Sequence, residues 1–159
     1  PRFDRHRAFR LAGIAIVVLL AVDNLRFYAV HLDYAKRLGS PGAWSDAIFA
    51  LPARLEHYKP SLVLEHDWGL QDNLISLSGY AVPLRHPGRP FPPQEFDVPA
   101  DTVWVGYTKA YEVFPGINKE LADAAEKAGY ERELLETIRD RQGHDVIELF
   151  RFHKTASAP

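Results

Sequence analysis

Leu11-Ala-Gly-Ile-Ala-Ile-Val-Val-Leu-Leu-Ala-Val22 runs without one polar side chain. As a helix these residues rise about 18 Å, short of a hydrocarbon core of about 30 Å. The helical pattern extends in both directions, however. From Ala8 to Val30 the strongly polar residues are Arg10, Asp23, Asn24 and Arg26. Arg10 can snorkel toward one headgroup layer. Asp23 and Arg26, three apart on one helical face, can pair at the other interface. Phe27 and Tyr28 follow at the depth of an aromatic belt. These ends turn the short run into a span of about 20 residues.

Three readings compete for this stretch. A cleaved signal peptide fits the basic start and short apolar run, but Leu19 and Ala21 make a poor small-x-small cleavage site. A core helix of a soluble fold would show a polar stripe, and none is present. A single membrane span, kept in the mature chain, is the reading that remains. Arg2, Arg5, Arg7 and Arg10 stand against one acid, Asp4, so the positive-inside rule puts residues 1–10 in the cytoplasm. The expected organisation is a transmembrane helix over 8–30, an extracytoplasmic α/β domain over 31–152 and a flexible tail over 153–159. In a bacterium this is a single-pass inner-membrane protein with a periplasmic domain.

The totals agree with one domain and an anchor. The 159 residues are 47% hydrophobic and 25% charged, with a net charge of −2. Nucleic acid is an unsuitable partner, because its binding demands a concentrated basic face. The absence of cysteine removes disulfides, thiolate metal sites and cysteine nucleophiles. Methionine is absent too, and Pro1 is read as following an excised initiator.

Beyond the span, His31 to Leu38 keeps a helical register and stops at Gly39-Ser-Pro-Gly42. Ser45 can cap a helix carrying Ile48, Leu51 and Leu55, which Pro52 should kink or split and Lys59-Pro60 should end. Ser61 to Glu65 reads as a buried strand. Leu70 to Leu77 forms one or two helical turns with Leu70, Leu74 and Leu77 on one face. Tyr80 to Leu84 is a candidate second strand. Arg85 to Pro99, with Pro87, Pro90, Pro92, Pro93 and Pro99, reads as an extended loop. Asp101 to Thr108 is the strongest strand. Asn118 and Gly129 bracket a helix as cap and stop. Arg132 to Arg139 and Asp145 to Phe152 form a hairpin around Asp140-Arg-Gln-Gly143. Strand, helix, strand, loop, strand, helix and hairpin make a small mixed α/β sandwich-like domain.

Asp67-Trp68-Gly69 follows a strand, where α/β folds place ligands. Asp67 and Gln71 can hold a polar ligand, with Trp68 as a stacking surface. The plainer alternative makes Asp67 a cap, Trp68 a core residue and Gly69 the turn. Seven histidines raise the question of a metal. His57 and His66 lack a matching carboxylate pattern, and no His-x-x-x-His pair accompanies a catalytic Glu. No nucleophile elbow, P-loop or dinucleotide fingerprint occurs. The expectation is no metal, no cofactor and no catalytic residue. Glu131, Glu133 and Glu136 read as a solvated strand surface.

Gly42-Ala-Trp44-Ser45-Asp46-Ala47-Ile48, Asp67-Trp68-Gly69-Leu70, Leu77-Ser-Gly79 and Asp101-Thr-Val-Trp-Val105 resemble one module. It is the C-terminal extracytoplasmic domain of bacterial polytopic glycosyltransferases that use polyprenyl-phosphate sugars, the protein mannosyltransferase-like class. There the module follows the last membrane helix, and the likeness runs from about residue 8 to residue 152. In that family the catalytic acids sit in the first extracytoplasmic loop among many membrane helices. One span cannot build that site, so the resemblance carries over no catalytic residue.

Two functions follow as expectations. The first is a non-catalytic accessory subunit of a bacterial membrane complex, energy-transducing by analogy with photosynthetic and respiratory assemblies. Its partners would be the bilayer and neighbouring subunits, which would help to cover Asp23, Asn24 and Arg26. The second is a tail or sugar-lipid-binding module of a membrane glycosyltransferase, with Trp44, Trp68 and Trp104 as stacking candidates.

Overall fold

In the computed structural model the residues described are 5–39, 45–79 and 81–155, with side chains from residue 9 onward. Arg2, the side chains of Arg5 and Arg7, the breaker after Gly39, Trp44 and Tyr80 lie outside these. Two units divide after Gly39.

The first unit is one helix, α1 (Arg5–Leu38). It continues eight residues past the expected end of the span at Val30, in the register expected of residues 31–38, and stops at Gly39, which takes φ 79°. Phe9–Leu38 is long and apolar enough to cross a membrane, and none of its apolar window is buried. Asn24 Nδ2 donates to the Leu20 carbonyl at 2.9 Å, so this amide is satisfied within its own helix. Phe27 stacks its ring near His31, 4.7 Å between centroids. Arg37 pairs with Asp33. Among the described residues, no ion pair joins Asp23 to Arg26, contrary to expectation.

The second unit is a five-stranded sheet between helical layers. Its strands are β1 (Val63–Glu65), β2 (Leu84–Arg85), β3 (Val103–Tyr107), β4 (Tyr130–Arg139) and β5 (Asp145–Lys154). Their spatial order is β2-β1-β3-β5-β4. β1 pairs in parallel with both β2 and β3, while β5 pairs antiparallel with β3 and β4. The carboxyl ends of β1, β2 and β3 therefore share one edge. The helices are α2 (Leu51–Tyr58), α3 (Leu70–Ser78) and α4 (Ile117–Lys127).

Period-2 alternation assigns the side chains of the central strands to two cores. Val63, Val103, Val105, Tyr107, Ile147 and Leu149 face the layer formed by α2 and α3. Leu64, Trp104 and Phe150 face α4, whose Ile117, Leu121 and Ala125 recur at helical spacing. Burial on both faces explains why β5 shows no clean alternation in the sequence.

The helices begin and end where local chemistry dictates. Ser45 Oγ accepts from Ala47 N–H at 3.3 Å at the head of a 3-10 turn, Asp46–Ala50. Pro52 then opens α2, where its missing N–H costs nothing, so the helical segment splits there. Lys59 closes α2 in the left-handed region, φ 44°. Leu77, expected on the buried face of α3, is exposed, while Leu70 and Leu74 are buried.

Three expectations need correction. The second strand is Leu84–Arg85, at the C-terminal edge of the segment expected. The proline-rich stretch contains a 3-10 turn, Pro93–Phe96, and buries Phe91 and Phe96 against Trp104's side of the sheet. Asn118 does not cap α4: Gly116 does, at φ 89°, and Asn118 turns inward. The hairpin closes as expected, although β5 continues to Lys154, beyond the expected start of the tail. Glu133 and Glu136 on β4 meet His153 and Arg54, so this edge is laced with ion pairs.

Candidate functional site

β1 delivers three ionisable residues, Glu65, His66 and Asp67, to the carboxyl edge of the parallel strands, and all three are buried. The chain then leaves β1 through α3 on one face and returns from β2 to β3 across the other, passing Phe91 and Phe96. Such a reversal opens a crevice at the carboxyl ends of strands.

Each of the three side chains is held differently. Glu65 lies on the α3 face, beside Val105 in register. Its Oε1 is 2.6 Å from His86 Nδ1, on the residue following β2. Its Oε2 is buried with no hydrogen-bond partner. Burial pushes the Glu65 carboxyl above the usual carboxylate range, against the opposing pull of His86.

His66 points to the other face and packs closely against Gly106. Its Nδ1 lies 3.1 Å from the Val105 carbonyl and its Nε2 2.7 Å from Asn118 Oδ1. Asn118 Nδ2 donates to the Tyr107 carbonyl at 2.8 Å, which fixes the amide with its oxygen toward the ring. Burial pushes the His66 imidazole down, and the hydrogen bond to Asn118 opposes it.

Asp67 accepts from Trp68 N–H at 2.8 Å and from Val113 N–H at 3.1 Å. It thus ties the loop after β3 to the crest of β1 and does not cap α3, whose cap is Gly69 at φ 89°. Glu112 secures the same loop by accepting from the Gly116 and Asn118 N–H groups at 2.7 and 3.1 Å. The Tyr107 phenol is pushed up to about 12, by burial first and then by Asp67 and Glu65.

A cavity of about 280 Å³ opens at this edge, lined by Glu65, Trp68, Gln71, Asp72, His86 and Phe114. Trp68 is 57% exposed, so it is not the core residue of the plainer reading. Asp67 stands behind the cavity as a brace, and Trp68 and Gln71 stand at its wall. Glu65, His66, His86 and Phe114 escaped the sequence reading. The signal available for two of them was the run Glu65-His66-Asp67 at the end of a buried strand, where ionisable residues are costly.

A larger groove, about 690 Å³, lies between α2 and α3, with Phe49, Pro52, Leu77 and Val82 in its lining. Its ionisable lining residues, Glu56 and Lys59, are exposed, and its one buried polar side-chain atom without a partner among the described residues is the Ser78 hydroxyl. The described residues contain no cluster of three or more metal-ligating side chains. No protein-family model, no curated protein and no solved structure matches the chain.

Proposed function

We propose that this chain is a tail or sugar-binding module of a bacterial membrane glycosyltransferase system that uses polyprenyl-phosphate sugars. Its α1 anchors it in the inner membrane with the N-terminus in the cytoplasm, and its α/β domain works in the periplasm. The observation that carries the reading is Glu65 Oε2, a buried acceptor without a partner at the wall of a strand-end cavity. Sugars satisfy such acceptors with hydroxyl donors and lay their apolar faces on aromatic rings. Trp68 and Phe114 offer those rings, both exposed. The module carries no proposed catalytic residue, and the transferase chemistry belongs to a membrane partner. The test is to titrate the full chain in lipid nanodiscs with polyprenyl-phosphate mannose and follow tryptophan fluorescence. Saturable binding that Trp68→Ala weakens supports the reading, and absence of binding to any sugar or sugar lipid overturns it.

A second reading, a structural accessory subunit of a membrane complex, draws on α1. Asp23, Asn24 and Arg26 lie along a helix with no buried residues in its apolar window. Polar groups at membrane depth favour partner helices. Mild-detergent purification from native membranes tests it. A stoichiometric complex lacking any glycosyltransferase would favour this reading over the first.

A further inference from the structure

Resting on the sugar-binding reading, we infer that the cleft takes its ligand through a protonated amine: a primary ammonium, carried on an amino sugar, docks on Glu65 between Trp68 and Phe114.

Several donors near Glu65 are already committed. His86 Nδ1 serves Oε1, 2.6 Å away. The N–H groups of Trp68 and Val113 serve Asp67, and those of Gly116 and Asn118 serve Glu112. Glu65 is 2% exposed and its Oε2 has no partner among the described residues, so a donor carried by a ligand would complete it. A buried acceptor left unpaired costs stability, and a charged donor repays most.

The charge of the cleft selects the kind of donor. Glu65 and Asp72 line it, Asp67 stands behind it, and no lysine or arginine is in the lining. The arginines flanking His86 in sequence are paired elsewhere, Arg85 with Glu95 at 2.8 Å and Arg89 with Glu120 at 2.5 Å. A phosphate or carboxylate inside the cleft is therefore disfavoured, so the phosphate of a sugar lipid stays outside it, and a cation is drawn in. The aromatic walls act in the same direction, because an ammonium near a ring face gains a cation–π attraction. A volume of about 280 Å³ accommodates one ring and not an extended chain.

The experiment uses the full chain in phosphatidylcholine nanodiscs, with ligand-observed NMR near neutral pH. The probes are D-glucosamine, D-glucose, glucose 6-phosphate and cyclohexylamine. Glucosamine is expected to bind about tenfold tighter than glucose, a difference of about 1.4 kcal/mol, because its donor is itself charged. Glucose 6-phosphate is expected to be the weakest sugar. Glu65→Gln should remove the preference for glucosamine while its melting curve shows that it folds. Perturbation of the His86 ring signals by glucosamine in the unmutated chain gives a readout independent of any variant. Equal binding of glucose and glucosamine, unchanged in Glu65→Gln, overturns the inference and leaves the sugar reading standing. Cyclohexylamine matching glucosamine with glucose silent keeps the ammonium site and sinks the sugar. Silence from all four probes overturns both.

Discussion

The His66 ring lies directly over Gly106: a Cβ placed on Gly106 would come within 1.9 Å of His66 Cε1. Glycine is needed there because of what packs on it. Gly106→Ala must lift the ring from its bond to Asn118, and with it the contact to the Val105 carbonyl. Overpacking costs about 1–3 kcal/mol, and the lost hydrogen bonds add to it. A urea midpoint that falls at unchanged slope is the expected result. An unchanged midpoint would show that the ring has room to move.

Asn118 bridges elements 52 residues apart through His66. Asn118→Leu fills similar space but leaves His66 and the Tyr107 carbonyl without their partner, at a cost of about 1–3 kcal/mol. If Asn118 served only as a helix cap, Asn118→Ser would restore full stability. The bridging role predicts that it will not, and thermal melts of the two variants decide.

Glu65→Gln should stabilise the domain at neutral pH. Burial raises the Glu65 carboxyl in the folded chain above its ordinary value of 4.5. Its favourable contribution is therefore present below about pH 4.5 and is lost as pH rises through the folded value. The Gln side chain keeps an acceptor for His86 without the buried charge. The stability gap between the two proteins should open as pH rises from acid to neutral. A gap that closes in that direction would refute the buried-charge account. A binding-site residue that weakens its own fold is a common trade between stability and activity.

Asp67→Ala releases the N–H groups of Trp68 and Val113 together. Removing one charged partner from two buried or half-buried bonds costs about 3 kcal/mol or more. Hydrogen exchange at Val113 should rise ahead of exchange in β3, because the loop loses its tether while the strand keeps its ladder. Uniform acceleration across the domain would count against Asp67 as a local brace.

Val18→Arg places a charge in the middle of the apolar run of α1. In a spanning helix this substitution costs about 2.5–3.5 kcal/mol of insertion free energy. Alkaline extraction should move the variant from the membrane pellet to the supernatant. Retention in the pellet would argue that α1 does not cross the bilayer.

How much of this was legible in the sequence depended on distance along the chain. Pro52 marks its own helix boundary, and Asp140-Arg-Gln-Gly143 marks its own turn, since both act within four residues. Val103 to Tyr107 announced itself as a buried strand by composition. Asn118 was misread because its position before an apolar helix mimics a cap, whereas its partners lie just past β1 and at the end of β3. Of the two readings open for Trp68, stacking surface or core residue, the core one fails, because its side chain is exposed at the cleft wall beside the left-handed turn at Gly69. His86 lay within a stretch read as irregular, and only the parallel pairing of β1 with β2 brings it to Glu65. Contacts made across a sheet crest leave no local periodicity to read.

The last strand of the chain, β5, sits between β3 and β4, and the tip of its hairpin is clasped to the domain's first turn by Arg141 and Asp46. Within this domain the ribosome thus delivers an interior strand after the other four. Until residues 145–154 have emerged, β3 has an open edge, the two cores lack Ile147, Leu149 and Phe150, and the entry segment has no clasp. The domain therefore completes itself only after synthesis of its own end, and any truncation within β5 leaves an open sheet in place of a shortened one. For a polypeptide fed in one direction through a narrow conduit, late closure keeps the upstream segments threadable until the whole domain has passed.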